Sequence, residues 1–226
     1  MNKNFWGILA VIFVIFGTVF FITHKNTNSS TSGNSAPSHN IEGLGKANVK
    51  FVEYGDYECP YCEEYSSVVK QVVSDEFNNI TFQFVNFPLT SIHPNAFPAA
   101  RAAQAAGLMG KFWQMHDALY NPSNWSQWST SSNPMPYFQT YATQLGLNLN
   151  AFINNYNSNQ VNNMIEADIT LGNNLNIQGT PTFYLDGKQI QVSPQVSAFE
   201  KLINAAIASH GNISNTSSGT TAQTKK

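Results

Sequence analysis

Cysteine is nearly absent from this chain: its 226 residues hold two, Cys59 and Cys62. A framework of structural disulfides is therefore excluded. The pair can exchange only with each other or with a partner. Charge is also scarce, at 11 % of residues, against about 25 % in an ordinary globular chain. Asn and Ser stand where Lys and Glu are usual. A single arginine, Arg101, and a formal net charge of −2 leave no basic surface for a polyanion, which excludes nucleic-acid binding. There is no internal repeat.

What is there centres on Cys59-Pro60-Tyr61-Cys62. Residues 49–54, Val-Lys-Phe-Val-Glu-Tyr, predict a strand, and residues 63–77 predict a helix. The pair thus falls at a strand-to-helix turn, where backbone N–H groups and the helix dipole favour an anion. A thiolate is the species that attacks disulfides. Proline is favoured at the first helical position, so Pro60 places Cys59 at the N-cap, exposed, and Cys62 one turn in, covered. Cys59 is then the attacking sulfur, with a pKa lowered into the range of about 3.5–7.5, and Cys62 resolves the mixed disulfide. Zinc also uses C-x-x-C, but a structural site needs four ligands. Here there is one cysteine pair, and His93 and His116 lie outside finger spacing. No metal and no cofactor are expected; the redox group is the cysteine pair itself.

Residues 5–22 form an unbroken apolar run, with Gly17 and Thr18 as small interruptions. Eighteen helical residues span about 27 Å, close to the hydrocarbon core of roughly 30 Å. The expectation is an uncleaved membrane anchor over residues 1–25; a cleaved signal peptide is the alternative, though no small-x-small site follows the run. Residues 26–40 read as a flexible linker and 211–226 as a disordered tail, both rich in Asn, Ser, Thr and Gly. Between them, residues 41–210 read as one globular unit.

Inside that unit residues 80–85 predict a second strand, parallel to the first through a right-handed crossover. Residues 91–174 read as a helical insert. It holds the Ala-rich stretch 99–106 stopped by Gly107 and Gly110, then Phe112, Met115, His116 and Leu119 at helical spacing, and helices over 137–145, 151–156 and 161–171. Residues 182–185 and 189–192 flank Asp186-Gly187 as a hairpin, and 194–209 predict a last helix. Glu53 lies mid-strand at a position expected to be buried, where desolvation raises a carboxyl pKa and allows proton exchange with Cys62. Gly179-Thr180-Pro181-Thr182 precedes the hairpin, and X–Pro is where cis bonds occur. His93 and His116 read as packing or capping residues, and Trp113, Trp125 and Trp128 as core or insert surface.

Residues 51–62, Phe-Val-Glu-Tyr-Gly-Asp-Tyr-Glu-Cys-Pro-Tyr-Cys, resemble the redox site of DsbA-like thiol-disulfide oxidoreductases. Gly179-Thr180-Pro181-Thr182-Phe183 resembles their cis-proline loop. Residues 93–120, with Lys111-Phe112-Trp113 and His116-Asp117-Ala118-Leu119-Tyr120, resemble their helical insert. The resemblance implies an α/β thioredoxin fold with an inserted helical domain, here preceded by an N-terminal transmembrane helix. It implies Cys59 as nucleophile, Cys62 as resolver, Pro181 in cis and Glu53 as the buried acid, with Pro60, Tyr61 and Thr180 against the substrate. Tyr61 departs from the histidine that well-known oxidases of the family carry between the cysteines. The expected function is an extracytoplasmic thiol-disulfide oxidoreductase that donates its disulfide to reduced or unfolded secreted proteins. A membrane quinone-linked reoxidant of DsbB or VKOR type would restore it. The alternatives are a reductase or isomerase on the same fold, or a non-catalytic chaperone or adaptor that binds through the insert.

Overall fold

The computed structural model describes residues 36–218, with side chains through Gly211. The apolar run 5–22, and with it the expected anchor, lies outside the described residues, as do residues 219–226. Among the described residues no helix is long and apolar enough to cross a membrane.

Among the described residues five strands, β1 (Ile41–Glu42), β2 (Val49–Gly55), β3 (Ile80–Asn86), β4 (Thr182–Leu185) and β5 (Lys188–Ile190), form one sheet in the order β1-β3-β2-β4-β5. Strand β2 (Val49–Gly55) is central and reads buried, exposed, buried, half-buried, then buried throughout its last three residues. It pairs in parallel with β3 (Ile80–Asn86), Val49 opposite Ile80 and Gly55 opposite Asn86. Helix α1 (Pro60–Asp75) makes the crossover between them. On the other side β2 meets β4 (Thr182–Leu185) antiparallel, with Glu53 opposite Phe183. Strand β5 (Lys188–Ile190) closes that edge. The turn between β4 and β5 has Asp186 at φ 49° and Gly187 at φ 77°, the left-handed pair that a two-residue hairpin needs. Phe51 lies at the middle of the sheet, its ring 5.1 Å from that of Phe82 and 5.7 Å from that of Phe183. Burying one such side chain contributes about 1.5–3 kcal/mol.

Between β3 and β4 lie six helices: α2 (Ala96–Gly107), α3 (Phe112–Tyr120), α4 (Pro122–Trp128), α5 (Met135–Gln144), α6 (Leu149–Tyr156) and α7 (Asn159–Asn174). Alanine explains the middle position of α2. Seven of its alanines are buried, and their small side chains let neighbouring helices approach while keeping the best helix propensity. The predicted stop holds: α2 ends at Gly107, and Gly110 follows at φ 76°. Helix α4 lies within the stretch read as helical but is not among the helices that the sequence delimits there. Asn121 caps it by accepting from the Ser123 N–H at 3.1 Å, and Pro122 takes the first turn. The last helix, α8 (Val196–Ser218), runs past Gly211, where composition reads as disordered tail. Propagating an existing helix adds one hydrogen bond per residue fixed, so polar composition alone does not stop it.

The linker boundary also moves. Composition assigns residues 26–40 to a flexible tether, yet Ser38 and Asn40 are buried, and β1 (Ile41–Glu42) pairs with β3. The cause is Asp168 on α7, fully buried. Its carboxylate accepts from the Ser38 N–H at 2.8 Å, the Ser38 hydroxyl at 2.6 Å, and the Asn86 side-chain amide at 2.7 Å. One acid thus ties the entering chain, the end of β3 and the insert together. Asp168→Ala leaves those donors buried without an acceptor. The expected loss is about 2–4 kcal/mol in a urea melt, with faster amide exchange at Ser38 and Asn86; a loss below about 1 kcal/mol would show the knot to be incidental.

Candidate active site

Strand β2 ends at Gly55 and α1 begins at Pro60, so the loop 56–59 carries the chain from the sheet into the helix. Gly55 is required at the exit. A Cβ there would stand 2.3 Å from the Phe84 ring and 3.2 Å from Glu53 Oε1. Cys59 is the N-cap residue of α1, with extended backbone at φ −70° and ψ 123°, and Pro60 occupies the first turn. No side chain makes a cap hydrogen bond at this end, and the Cys62 and Tyr61 N–H groups lie near enough to favour the Cys59 thiolate. Both cysteines are free thiols.

One expectation fails here. Cys59 reads as exposed, but only 4 % of it is accessible, and Cys62 is fully buried. The cover comes from across the fold: Cys59 Sγ lies 3.3 Å from the Thr180 carbonyl and donates to it as a thiol. The Thr180–Pro181 bond is cis. The Cys59 thiol is nonetheless held down, to about 6. The main cause is a hydrogen bond from the Cys62 thiol. Burial opposes it, and the Cys62 N–H, the Thr180 side chain and the Tyr61 N–H add to it. The Thr180 hydroxyl is buried with no protein partner, and ionisation of Cys59 supplies the acceptor it lacks. Cys62 goes the other way. Burial first, then the Cys59 thiol and the charges of Cys59 and Glu53, push it well above the ordinary thiol range. One sulfur is thus poised as an anion and the other kept protonated.

Glu53 is 2 % exposed on β2. Burial and then the Cys59 charge raise its carboxyl to about 8. Tyr57 and Tyr120 lie near enough to feel its charge, and His116 lines a cavity with it. The Tyr57 hydroxyl pairs with His116 Nδ1 at 3.0 Å. Burial holds His116 neutral, with its pKa at about 3.

The structure brings Tyr61, Thr180 and Pro181 to one cavity of about 320 Å³ beside the cysteines, with Tyr65, Ile190 and Val192. Tyr61 is 65 % exposed and Pro60 lies exposed before it. Glu53 is not among the residues that line that cavity.

The sequence reading misses the braces on the loop. Asp56, 1 % exposed, accepts from the Glu58 and Leu89 N–H groups and pairs with His93 Nδ1 at 2.7 Å. Its own N–H donates to Cys62 Sγ at 3.4 Å. His93 thus bonds the Asp56 carboxylate through Nδ1, beyond the packing or capping role. Glu58 accepts from the Asn95 N–H, and Trp125 Nε1 donates to the Tyr57 carbonyl at 2.8 Å. A buried loop dense in Asp and Glu was the available signal; the partners lie 33 to 68 residues away. Among the described residues no cluster of His, Cys, Asp or Glu is placed to hold a metal ion.

A sequence model of the thioredoxin family matches residues 35–205, and the chain belongs to that family. The protein named Na(+)/H(+) antiporter NhaA 1 of Salinispora arenicola (strain CNS-205) is 34 % identical over 168 residues, 74 % of this chain and 24 % of that protein. Na(+)/H(+) antiporter NhaA 1 of Mycolicibacterium gilvum (strain PYR-GCK) is 30 % identical over 151 residues, 66 % of this chain and 23 % of that protein. The chain therefore spans about a quarter of the length of the curated relatives it matches. Oxidised BdbD from Bacillus subtilis superposes with a TM-score of 0.63 at 22 % identity, covering 77 % of this chain and 97 % of that one. Alpha-DsbA1 from Wolbachia pipientis gives 0.65 at 19 % identity, covering 77 % and 94 %. The likeness to these solved structures is one of fold.

Two outcomes follow from the ionisation pattern. Iodoacetamide should modify Cys59 before Cys62, with a rate that rises through a midpoint near pH 6; mass spectrometry showing Cys62 labelled first would reverse the roles. The second concerns Glu53. Its pKa is higher folded than unfolded, so the native state holds a proton that the unfolded state has lost between pH 4.5 and about 8. Stability falls as pH rises through that window, and the cost is fully present above it. Glu53→Gln removes the cost, so it should stabilise the reduced protein by roughly 2–4 kcal/mol at pH 8 and hardly at all at pH 4.5. Equal effects at both values, by denaturant titration, would place the carboxyl in solvent.

Proposed function

We propose that this chain is a thiol-disulfide oxidoreductase that works as an oxidant. The observation that carries the reading is the split between the two sulfurs: Cys59 held down to about 6 at a helix N-terminus, Cys62 pushed up beside a buried acid. In the oxidised protein a substrate thiolate attacks Cys59 Sγ. The Cys59–Cys62 bond breaks, and its electron pair goes to Cys62, which takes a proton from Glu53. A second substrate thiolate then attacks the substrate's own sulfur, and Cys59 leaves as a thiolate that needs no proton above about pH 6. The substrate loses two electrons and two protons; the protein gains the electrons. Tyr61, Thr180 and the cavity beside them offer an extended substrate segment a place next to Cys59.

The setting proposed is the outer face of a membrane, with residues 1–25 as anchor, reduced or unfolded secreted proteins as substrates, and a quinone-linked membrane protein of DsbB or VKOR type as reoxidant. Disulfides persist in such a compartment. The relatives support a membrane setting, since in them a segment like this one belongs to a much longer protein named as a sodium/proton antiporter.

Direction of electron flow decides between oxidant and reductant. Each unit by which Cys59's pKa falls favours the reduced form by about 1.36 kcal/mol, or about 30 mV. Thioredoxin's thiol, near about 7, accompanies a potential of about −270 mV. A Cys59 near 6 should therefore give a potential roughly 30 mV or more above thioredoxin's. Equilibration with glutathione measures it. The oxidised chain should also restore activity to reduced, unfolded ribonuclease, and Cys59→Ser should abolish this. A potential at or below thioredoxin's would favour the reductase reading, and an effect on refolding that survives Cys59→Ser would favour the chaperone reading.

A further inference from the structure

Glu53 gives up a proton each time Cys62 leaves the disulfide, and it must regain one while substrate is bonded to Cys59. At that moment the mouth of the site is covered, and Cys62 has no exposure of its own. The other side of Glu53 is different. A cavity of about 20 Å³ touches Glu53 and is lined by Ser66 and Lys70 of α1 and by His116 and Tyr120 of α3. That volume holds one water molecule. The same four residues also line a larger cavity of about 230 Å³ that reaches the surface. It ends at the exposed ion pair of Lys70 Nζ and Asp117, 2.7 Å apart.

The polar groups follow helix spacing. Cys62, Ser66 and Lys70 are four apart on α1, and His116 and Tyr120 are four apart on α3, so each set lies on one face. The two faces make a polar seam through an otherwise apolar interior. Tyr120 lines both cavities, is 3 % exposed, and its hydroxyl has no protein hydrogen-bond partner. It lies close enough to feel the charges of Cys62 and Glu53. His116 already spends Nδ1 on Tyr57.

We propose that protons reach and leave Glu53 through this seam between α1 and α3, by way of the Tyr120 hydroxyl, and do not use the substrate-facing mouth. The proposal rests on the oxidoreductase reading. In the step where the Cys59–Cys62 bond breaks, Cys62 takes the proton of Glu53. The carboxylate recovers one from water in the small cavity, which Tyr120 orients and the outer cavity replenishes. The reverse step returns it the same way. Tyr120 is a positioning residue: it acts through water and Glu53, not on sulfur. The titratable groups facing Glu53 are Cys59 and Cys62 at the start of α1, Tyr57 in the loop before it, and His116 and Tyr120 of α3. Lys70, Asp117 and Glu42 of β1 also line the small cavity.

The test compares the intact chain with Tyr120→Phe, Glu53→Gln and the double variant. Stopped-flow kinetics with a cysteine peptide, from pH 5.5 to 8.5 in H2O and D2O, would follow departure and return of Cys62. Tyr120→Phe keeps the ring and removes the hydroxyl. It should slow the Cys62 step roughly three- to tenfold, less than the ~10²-fold of a direct acid, with a larger solvent isotope effect. The alkylation rate of Cys59 should not change, and on the Glu53→Gln background Tyr120→Phe should add nothing. Ser66→Val, which narrows the same seam from α1 and keeps the phenol, should slow the same step. Wild-type rates in both Tyr120→Phe and Ser66→Val would overturn the seam, as would equal slowing by Tyr120→Phe with and without Glu53. A wild-type chain with no exchange at all would sink the oxidoreductase reading itself, and the seam with it.

Discussion

The placement of one sulfur at the N-cap of α1 constrains everything around it. A cap residue must stand where β2 ends and the helix begins, so its neighbours on the chain cannot cover it. Cover has to come from a distant segment, and here it is the Thr180 carbonyl, 121 residues away, at 3.3 Å from Cys59 Sγ. That contact requires β4 to lie beside β2, and the register of Glu53 opposite Phe183 provides it. The six-helix insert must therefore leave the sheet after β3 and return the chain to the other side of β2. Local capping chemistry and global topology meet at one thiol.

The same arrangement explains why an acid can be tolerated inside the sheet. A carboxyl moved from 4.5 to about 8 is a standing cost to the fold at neutral pH. Burial of the aromatic cluster around Phe51, Phe82, Phe183 and Phe199 offsets it. Asp168 shows the contrasting solution. It is as deeply buried, but the Ser38 and Asn86 groups that donate to its carboxylate oppose the upward push of burial. One buried acid is dressed with donors and holds the fold together; the other has no donor opposing the upward push of burial and remains able to exchange a proton. The difference lies in the neighbours, since both residues are carboxylic acids on regular elements.

Much of this was legible in the sequence, and the parts that were not share a cause. The strand before the cysteines, the helix after them, the parallel second strand, the Asp-Gly hairpin and the Ala-rich helix all rest on local signals: periodicity, a proline at a first turn, a left-handed dipeptide. Helix α4 carried such a signal in Asn121-Pro122 and was overlooked because seven residues are too few to show a period. Strand β1 has two residues and no period at all. The burial of Ser38, the knot at Asp168 and the Asp56–His93 pair are non-local. Polar residues in an Asn- and Ser-rich segment look like linker until a buried partner is known. For the same reason Cys59 reads as exposed: the N-cap position is local information, and its lid is not.

The insert emerges as a brace for the redox loop as much as a surface beside it. Three of its contacts fall on consecutive residues of that loop: His93, in the approach to α2, on Asp56; Trp125 of α4 on the Tyr57 carbonyl; and the Asn95 N–H on Glu58. Each uses a different group, an imidazole nitrogen, an indole N–H and a backbone N–H, so no single substitution releases the whole loop. Asp56 passes this restraint to the chemistry, because its N–H donates to Cys62 Sγ. That bond favours the thiolate of Cys62 against the burial that opposes it. Asp56 also accepts from the Cys59 N–H at 3.1 Å, so a movement of the insert that shifted Asp56 would be felt at both cysteines. The loop that precedes β4 adds a second hold on Cys59 alone, through the Thr180 carbonyl. The two cysteines, three residues apart in the chain, thus share one brace and differ in the other.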